Sequence, residues 1–170
     1  MESSNATIIH AIVRLLAFIF KPKFTMGSIL IAKDGNRVLM VRQHYSGDTW
    51  GFPGGFIEHH ESPEACATRE LFEETGLHVD VRAAHLIDTY IQGTHQHIDN
   101  LFGIETKGNP TPKHWHEIAQ CKWVEIDELP KLHLRPETQL ALSRSRLLTT
   151  TNYMTASAVR SERGSSQSRV

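Results

Sequence analysis

The residues best suited to chemistry lie between positions 55 and 77, where glutamates and an arginine recur at fixed spacing. Glu70, Glu73 and Glu74 stand at positions i, i+3 and i+4, so a helix would project all three from one face within one turn. Three neighbouring carboxylates repel one another, and a hard divalent cation would supply the missing positive charge. The spacing therefore predicts a site for Mg2+ or Mn2+.

A helix over these residues is well specified by the sequence. Ser62 is suited to cap its start, Pro63 to occupy the first helical position, and Gly76 to end it in a left-handed conformation. Ala67 and Leu71 form an apolar pair one turn apart. We expect this pair to anchor the helix on a core while the glutamates face outward.

The approach to this helix and its arginine complete the predicted site. Residues 50–55, Trp-Gly-Phe-Pro-Gly-Gly, form a turn-rich segment whose glycines allow backbone groups to approach an ion or a phosphate closely. Arg69 stands four residues before Glu73 and eight after Glu61, within reach of pairing with either. The order along the chain is thus a loop, a helix and then a candidate metal site.

This pattern resembles the Nudix box without a departure. The matching residues are Gly55, Glu61, Arg69-Glu70-Leu71, Glu73-Glu74 and Gly76-Leu77. The resemblance covers 23 residues at the box and extends, with the flanking elements, over about residues 24–147. It implies an α/β fold, namely a Nudix-like α/β/α sandwich with a mixed β-sheet.

The resemblance also implies an activity, because Nudix enzymes use water to hydrolyse a nucleoside diphosphate linked to another moiety. It implies Mg2+ or Mn2+ held by Glu70, Glu73 and Glu74, with the Gly54 carbonyl as an auxiliary ligand. Arg69 and Glu61 are then expected to orient these groups. In parts of the family the residue matching Glu70 is also the general base, whereas in others the base lies outside the box.

Several residues outside the box have two interpretations. Glu117 occupies a family-like position for a fourth carboxylate ligand; alternatively, it is a surface glutamate. In that case Asp99 or Glu105 would be the candidates for the fourth ligand. His95 and His97 would share one strand face as a metal pair, although no further His or Cys is spaced to complete a zinc site. Three further side chains are suited either to contact a base or to pack, namely His114, Trp115 and Tyr90.

The substrate class follows only broadly. By resemblance, a proline or a tyrosine fifteen to eighteen positions after the box marks specialised subtypes, and Gly93 and His95 stand in that window instead. The sequence thus favours a nucleoside triphosphate or a nucleotide sugar as substrate. The alternative is a non-catalytic nucleotide-sensing module, although such sensors typically lose a metal carboxylate that this chain retains. An isomerase of the same fold is a further alternative, but such relatives depart from the Nudix box, which this chain keeps intact.

Length and composition favour one compact domain that is not a general binder of polyanions. The chain has 170 residues, 39% of them apolar, and a formal net charge of -1, which predicts no extended nucleic-acid surface. Cys66 and Cys121 have no metal or redox spacing, which favours structural roles and a reducing cytoplasmic location.

We divide the chain into three predicted parts: residues 1–22, 23–148 and 149–170. Residues 8–20 are strongly apolar but interrupted by Arg14, too short to cross a bilayer, and are interpreted as an amphipathic helix. This helix would pack on the domain or a partner, or contact a membrane surface; a homodimer also remains open. Residues 149–170 are rich in Ser, Thr and Arg and predict a flexible tail.

Residues 23–148 predict the Nudix-like domain itself. Its apolar runs predict strands at 25–32, 37–43, 78–82, 85–92, 97–105 and 121–125, and a last helix at about 137–147. Lys33-Asp34-Gly35-Asn36 is a hairpin signal between the first two strands.

Overall fold

The computed structural model describes residue 10 and residues 13–16, 23–92 and 96–147. Within these residues the chain forms six β-strands and two longer α-helices. In chain order, the elements are β1 (Thr25–Asp34), β2 (Arg37–Gln43), β3 (Gly54–Phe56), α1 (Pro63–Thr75), β4 (His85–Gln92), β5 (His97–Glu105), β6 (Ile118–Glu125) and α2 (Pro136–Ser145). Short 3-10 segments lie at His44–Ser46, Val81–Ala83 and Ile126–Lys131.

The strands form one mixed sheet in the order β4-β5-β1-β2-β6, with β3 paired to β1 beside this path. The central pair β1 and β5 is parallel, while the other pairs are antiparallel. β1 therefore contacts three other strands, and its residues are largely buried.

Each face of the sheet is covered by one helix. α1 packs on the face that carries Leu30 and Phe102, through its own Ala67 and Leu71. α2 packs on the opposite face, where Ala141 and Leu142 join the core cluster that contains Ile29, Ile31 and Leu101. Because both faces are covered, β1 is a near-continuous apolar run rather than an alternating one. The predicted α/β/α sandwich with a mixed sheet is confirmed.

α1 begins and ends where the sequence predicts. The Ser62 side chain accepts a hydrogen bond from the Ala65 N–H at 3.2 Å, and Pro63 follows at the first helical position. Gly76 has φ 72°, a left-handed conformation that favours glycine, and its N–H donates to the Phe72 carbonyl at 2.7 Å. Ala67 and Leu71 are fully buried, as the predicted anchor requires.

The predicted strand at 78–82 is wrong. The Asp80 carboxylate accepts a hydrogen bond from the Arg82 N–H at 2.9 Å and starts the 3-10 segment Val81–Ala83. A local bond from side chain to backbone competes with pairing in a sheet, and here it prevents a strand.

The other predicted elements exist, and the strands predicted at 37–43, 85–92 and 97–105 have the predicted bounds, whereas the remaining ones shift. β1 runs to Asp34 and turns through Gly35 and Asn36 into β2, which confirms the hairpin. β6 starts three residues earlier than predicted, at Ile118, and α2 ends at Ser145 because Arg146 takes a left-handed conformation. β3, interpreted from the sequence as part of a turn-rich loop, pairs with β1.

The terminal predictions lie mostly beyond the described residues. Of the apolar segment 8–20, only residue 10 and residues 13–16 are described, and these are helical. The predicted tail at 149–170 lies wholly outside the described residues. Within the described part of the chain, no helix combines the length and apolar character needed to cross a bilayer.

Candidate functional site

A cleft of about 630 Å³ lies beside α1 and β3, and it gathers the predicted metal-site residues. Among its lining residues are Gly54, Arg69, Glu70, Glu73, Glu74 and Glu117. Six glutamates and two arginines line the cleft. The sequence-predicted residues of the box therefore come together, and Glu61, which does not line the cleft, pairs with Arg69.

Arg69 joins the carboxylates of this cleft. Its Nε and Nη2 donate to the two oxygens of Glu61 at 2.8 and 3.0 Å. Its Nη1 donates to Glu70 Oε1 at 2.8 Å and to Glu73 Oε2 at 3.0 Å. Nη2 also donates to the Phe56 carbonyl at 3.1 Å, which ties α1 to β3. Arg69 thus pairs with both glutamates that the spacing allows, and with Glu70 as well.

Gly55 brings the backbone of β3 against the Glu70 carboxylate. A Cβ atom at position 55 would lie 2.2 Å from Glu70 Oε1 and 2.6 Å from its carboxyl carbon. No side chain fits there without moving Glu70. Gly55 thus allows this close approach to a carboxylate, while the predicted approach of an ion or a phosphate to these glycines stays a prediction.

Glu74 differs from the outward-facing position expected for it. Only 4% of the residue is exposed, and its Oε2 accepts a hydrogen bond from the Gly54 N–H at 3.1 Å. The helix position that carries Glu74 faces β3, so the side chain turns toward the strand rather than toward solvent. The expectation that the three glutamates all face outward is therefore wrong for Glu74, although it still lines the cleft.

The electrostatics reflect an excess of negative charge. Burial, reinforced by the charge of Glu70, raises the pKa of Glu74 to about 8. Burial also raises the pKa of Glu70, against the opposing effect of Arg69. Glu61 differs, because its hydrogen bonds from Arg69 lower its pKa. Burial thus makes Glu74, and to a smaller extent the partly buried Glu70, costly to ionise, and a bound cation would offset this cost.

The donor set fits a hard divalent cation, since it consists of carboxylate and backbone oxygens. As the side chains stand, no group of three or more His, Cys, Asp or Glu within the described residues is arranged to hold a metal ion. The guanidinium of Arg69 instead lies between the Glu70 and Glu73 oxygens. The roles of Glu70, Glu73, Glu74, Glu117 and the Gly54 carbonyl as ligands therefore stay predictions.

Glu117 approaches the cleft from the segment before β6. Its Oε1 accepts a hydrogen bond from the Tyr45 hydroxyl at 3.3 Å, and both residues line the cleft. Its two substitutes are elsewhere: Asp99 lies buried on β5, and Glu105 pairs with Lys33 at the far end of that strand. Of the residues considered for stacking, Tyr90 is in the core and Trp115 is exposed. His95 lies outside the described residues.

Sequence reasoning missed Arg135 and Tyr45, which both line the cleft. Arg135 precedes α2 and donates to Gln43 Oε1 at 2.8 Å and to the Phe52 carbonyl at 3.1 Å. It packs against Gly51, where a Cβ atom would lie 1.7 Å from its Nη2. Neither residue belongs to a motif, and only the folded chain brings them to the glutamates.

Known proteins provide an independent comparison. The protein-family model described as "NUDIX domain" matches residues 21–144 of this chain. The m7GpppN-mRNA hydrolase dcap-2 of Caenorhabditis elegans is 30% identical over 109 residues, which cover 62% of this chain and 14% of that protein. A CMP-5'-(N-acetyl-N-hydroxy-3-aminopropyl)phosphonate hydrolase of Streptomyces rubellomurinus is 33% identical over 114 residues, covering 61% of this chain and 52% of that one. The matched part of this chain thus spans about a seventh of the length of the first relative and about half of the length of the second.

Solved structures agree on the fold. A crystal structure of a MutT NUDIX hydrolase from Burkholderia pseudomallei superposes with a TM-score of 0.63 at 21% identity. The match covers 72% of this chain and 98% of that one. At this level of identity the likeness concerns the fold alone.

Proposed function

Since this chain belongs to the Nudix family, we propose that it is a metal-dependent hydrolase that cleaves a phosphoanhydride bond in a nucleotide derivative. The observation that carries the proposal is the convergence of Glu70, Glu73, Glu74 and Glu117 on one cleft, beside the close backbone of Gly54 and Gly55. Such a cluster of oxygen ligands is suited to a divalent cation and to the phosphates that the cation contacts.

The cation proposed is Mg2+ or Mn2+, held by Glu70, Glu73 and Glu74 with help from Glu117 and the Gly54 carbonyl. When bound, such an ion neutralises charge on phosphoryl oxygens and lowers the pKa of water. Two of its proposed ligands, Glu70 and Glu73, share one guanidinium donor in the structure. Arg69 is therefore the residue that sets where these two carboxylates point.

Each remaining residue has a proposed task that its contacts support. Glu61 receives two hydrogen bonds from Arg69 and keeps that guanidinium from turning away. Glu70 is the candidate base, because burial raises its pKa and makes it a stronger proton acceptor than an exposed glutamate. Tyr45 donates to Glu117 and holds that carboxylate at the edge of the cleft.

The proposed substrate is a small nucleotide derivative, either a nucleoside triphosphate or a nucleotide sugar. The names of two relatives support a nucleotide derivative in general, since one is a hydrolase of a CMP-linked phosphonate and the other of an mRNA cap. A net charge of -1 also favours a small substrate over an extended nucleic acid.

A non-catalytic nucleotide-sensing module is the second candidate. It would bind a nucleotide in the same cleft but release no product. Turnover separates the two, because a sensor leaves every nucleotide intact.

The experiment incubates the full chain with a panel of nucleoside triphosphates, nucleotide sugars and a capped dinucleotide, in Mg2+, in Mn2+ and in EDTA. Products are separated by chromatography, and the reaction is repeated in oxygen-18 water. We expect two phosphate-containing products, the label in one of them and no turnover in EDTA. Full activity in EDTA, or intact nucleotides throughout, would contradict the proposal.

A further inference from the structure

A second cavity, of about 290 Å³, adjoins the cleft and shares Gly54, Gly55, Phe56, Arg135 and Glu137 with it. It lies between the sheet and the first turn of α2. Its inner wall includes Asp99 and His97 of β5. A molecule that reaches from the cleft past Gly54 and Gly55 would therefore enter this cavity.

Asp99 is a buried carboxylate with one oxygen left without a partner. The residue is 4% exposed, and its Oδ2 has no hydrogen-bond partner among the described residues. Its Oδ1 lies 3.1 Å from His97 Nε2, and His97 Nδ1 lies 2.7 Å from the Thr25 hydroxyl. Both contacts are satisfied when Thr25 donates to Nδ1 and His97 donates through Nε2. Buried polar atoms without a partner are rare, so Oδ2 calls for a donor.

The position of this pair is built into the sheet. Gly27 of β1 is the register partner of Asp99. A Cβ atom at Gly27 would lie 3.0 Å from His97 Nε2, 3.0 Å from the Gly55 carbonyl oxygen and 3.3 Å from Asp99 Oδ1. A larger residue would thus push the pair out of place. Three features therefore fix the position of the Asp99 carboxylate: its place on β5, its contact with His97, and the close packing of Gly27 on β1.

The other walls of the cavity combine apolar and aromatic side chains with polar ones, among them Ser28, Thr138 and Glu137. Ile29 and Phe52 belong to the core cluster and line it. Phe56 stands edge to face against His97, with 5.3 Å between ring centroids, and is 66% exposed. Apolar and aromatic side chains beside a buried acceptor without a partner suit a planar heteroaromatic ring that carries an N–H.

We propose that this cavity takes the base of the nucleotide substrate, and that Asp99 accepts a hydrogen bond from an N–H on the edge of that base. This inference rests on the proposed function, because the shared Gly54-Gly55 backbone is what connects the base to phosphates in the cleft. Asp99 contacts no reacting atom, so it determines specificity rather than chemistry. A base analogue that lacks the N–H leaves the buried carboxylate unpaired and is rejected.

The first test measures kcat/KM for nucleoside triphosphates and for matched analogues in which single N–H groups of the base are removed or methylated. For at least one base, we expect wild-type protein to lose roughly 10- to 100-fold with such an analogue. Asp99→Asn keeps the shape but places an amide where the carboxylate stood, so this loss should shrink to within about threefold. The control is Asp88→Asn on neighbouring β4, whose carboxylate pairs with Arg144 away from the cavity; it should discriminate as wild type does. Equal discrimination by wild type and Asp99→Asn would overturn the proposal.

The second test is independent of hydrolysis and of the folding of any variant. Nucleoside 5'-monophosphates are added to wild-type protein in EDTA, and the Nε2 resonance of His97 is followed by nitrogen-15 NMR. Because His97 donates to Asp99, a base that engages Asp99 should shift this resonance. An unchanged resonance at saturating monophosphate would overturn the proposal even if the protein hydrolyses nucleotides. A shift in a protein that hydrolyses nothing would instead retain the base site and remove the proposed activity.

Discussion

Arg69 contacts both carboxylate oxygens of Glu61, eight residues earlier, with Nε 2.8 Å from Oε1 and Nη2 3.0 Å from Oε2. This pair connects the segment that enters α1 to the middle of the helix. The remaining nitrogen, Nη1, reaches Glu70 and Glu73. One guanidinium therefore fixes three carboxylates, so that removing Glu61 affects the other two indirectly.

The first prediction concerns Glu61 and pH. Hydrogen bonds from Arg69 lower the pKa of Glu61, so its stabilising effect is complete above the unfolded pKa, about 4.3. It is lost as pH falls through the lowered value. Both side chains are mostly buried, and Glu61→Gln should lower the free energy of unfolding at pH 7 by about 1–2 kcal/mol. Urea unfolding at a series of pH values checks this, and a difference that persists undiminished at pH 3 would contradict it.

The second prediction concerns catalysis. Glu70→Gln and, separately, Glu74→Gln should reduce kcat by more than roughly 10²-fold, because each change removes a charge from the proposed cation site. Glu64→Gln, in the first turn of the same helix, is the matched control and should retain wild-type kcat. Circular dichroism confirms the fold of each variant. Wild-type rates for both cleft variants at saturating Mg2+ would rule out this helix as the metal site.

The third prediction concerns the cation and pH. Burial raises the pKa of Glu74 to about 8, so the folded protein without metal holds a proton there more tightly than the unfolded chain does. The contribution of this protonated carboxyl to the stability of the folded protein is complete below about pH 4.3 and is lost as pH rises through about 8. Because Mg2+ requires the ionised carboxylate, its stabilising effect should grow over the same interval.

Thermal unfolding in EDTA and in Mg2+ measures this difference. The increase in Tm caused by Mg2+ should be larger at pH 8 than at pH 6. In Glu74→Gln this pH dependence should be reduced, since the titrating group is gone. Equal increases at both pH values in the wild type would contradict the prediction.

The fourth prediction concerns Cys66, a free thiol of α1 that is fully buried. Burial raises the pKa of the Cys66 thiol to about 11, which leaves about one thiolate in 10³ at pH 8. In a Cys121→Ala background, the native protein should therefore react with a disulfide reagent far more slowly than the protein in guanidinium chloride. Similar rates in the two states would show that Cys66 is accessible.

How far the sequence predicts this molecule depends on how local the determining contacts are. The caps of α1 at Ser62 and Gly76, and the hairpin turn at Gly35, involve residues at most four apart and are predicted correctly. The false strand at 78–82 fails on another local contact, because the pattern of apolar residues does not reveal the bond from the Arg82 N–H to Asp80. Local signals thus predict elements when their competing bonds are also considered.

The candidate site divides in the same way. Glu70, Glu73, Glu74 and Arg69 lie on one helix, so their grouping follows from the helical period. The inward orientation of Glu74 depends on its hydrogen bond from Gly54, twenty residues away. It also depends on β3, whose Gly-Gly-Phe sequence does not predict a strand. Arg135 and Asp99 come from distant segments, and no spacing rule connects them to the box.

The parallel pairing of β1 with β5 also has a consequence for the order in which the protein is made. Thr25 of β1 is matched with His97 of β5, so a ribosome must release more than seventy further residues before the centre of the sheet can close. A nascent chain ending near residue 92 already carries α1 with all of its glutamates, yet lacks the strand that completes the core beneath it. The emerging polypeptide therefore has the proposed ligands of α1 before it has the rigid support that would hold them in place, and it depends on a late, non-local step to acquire that support.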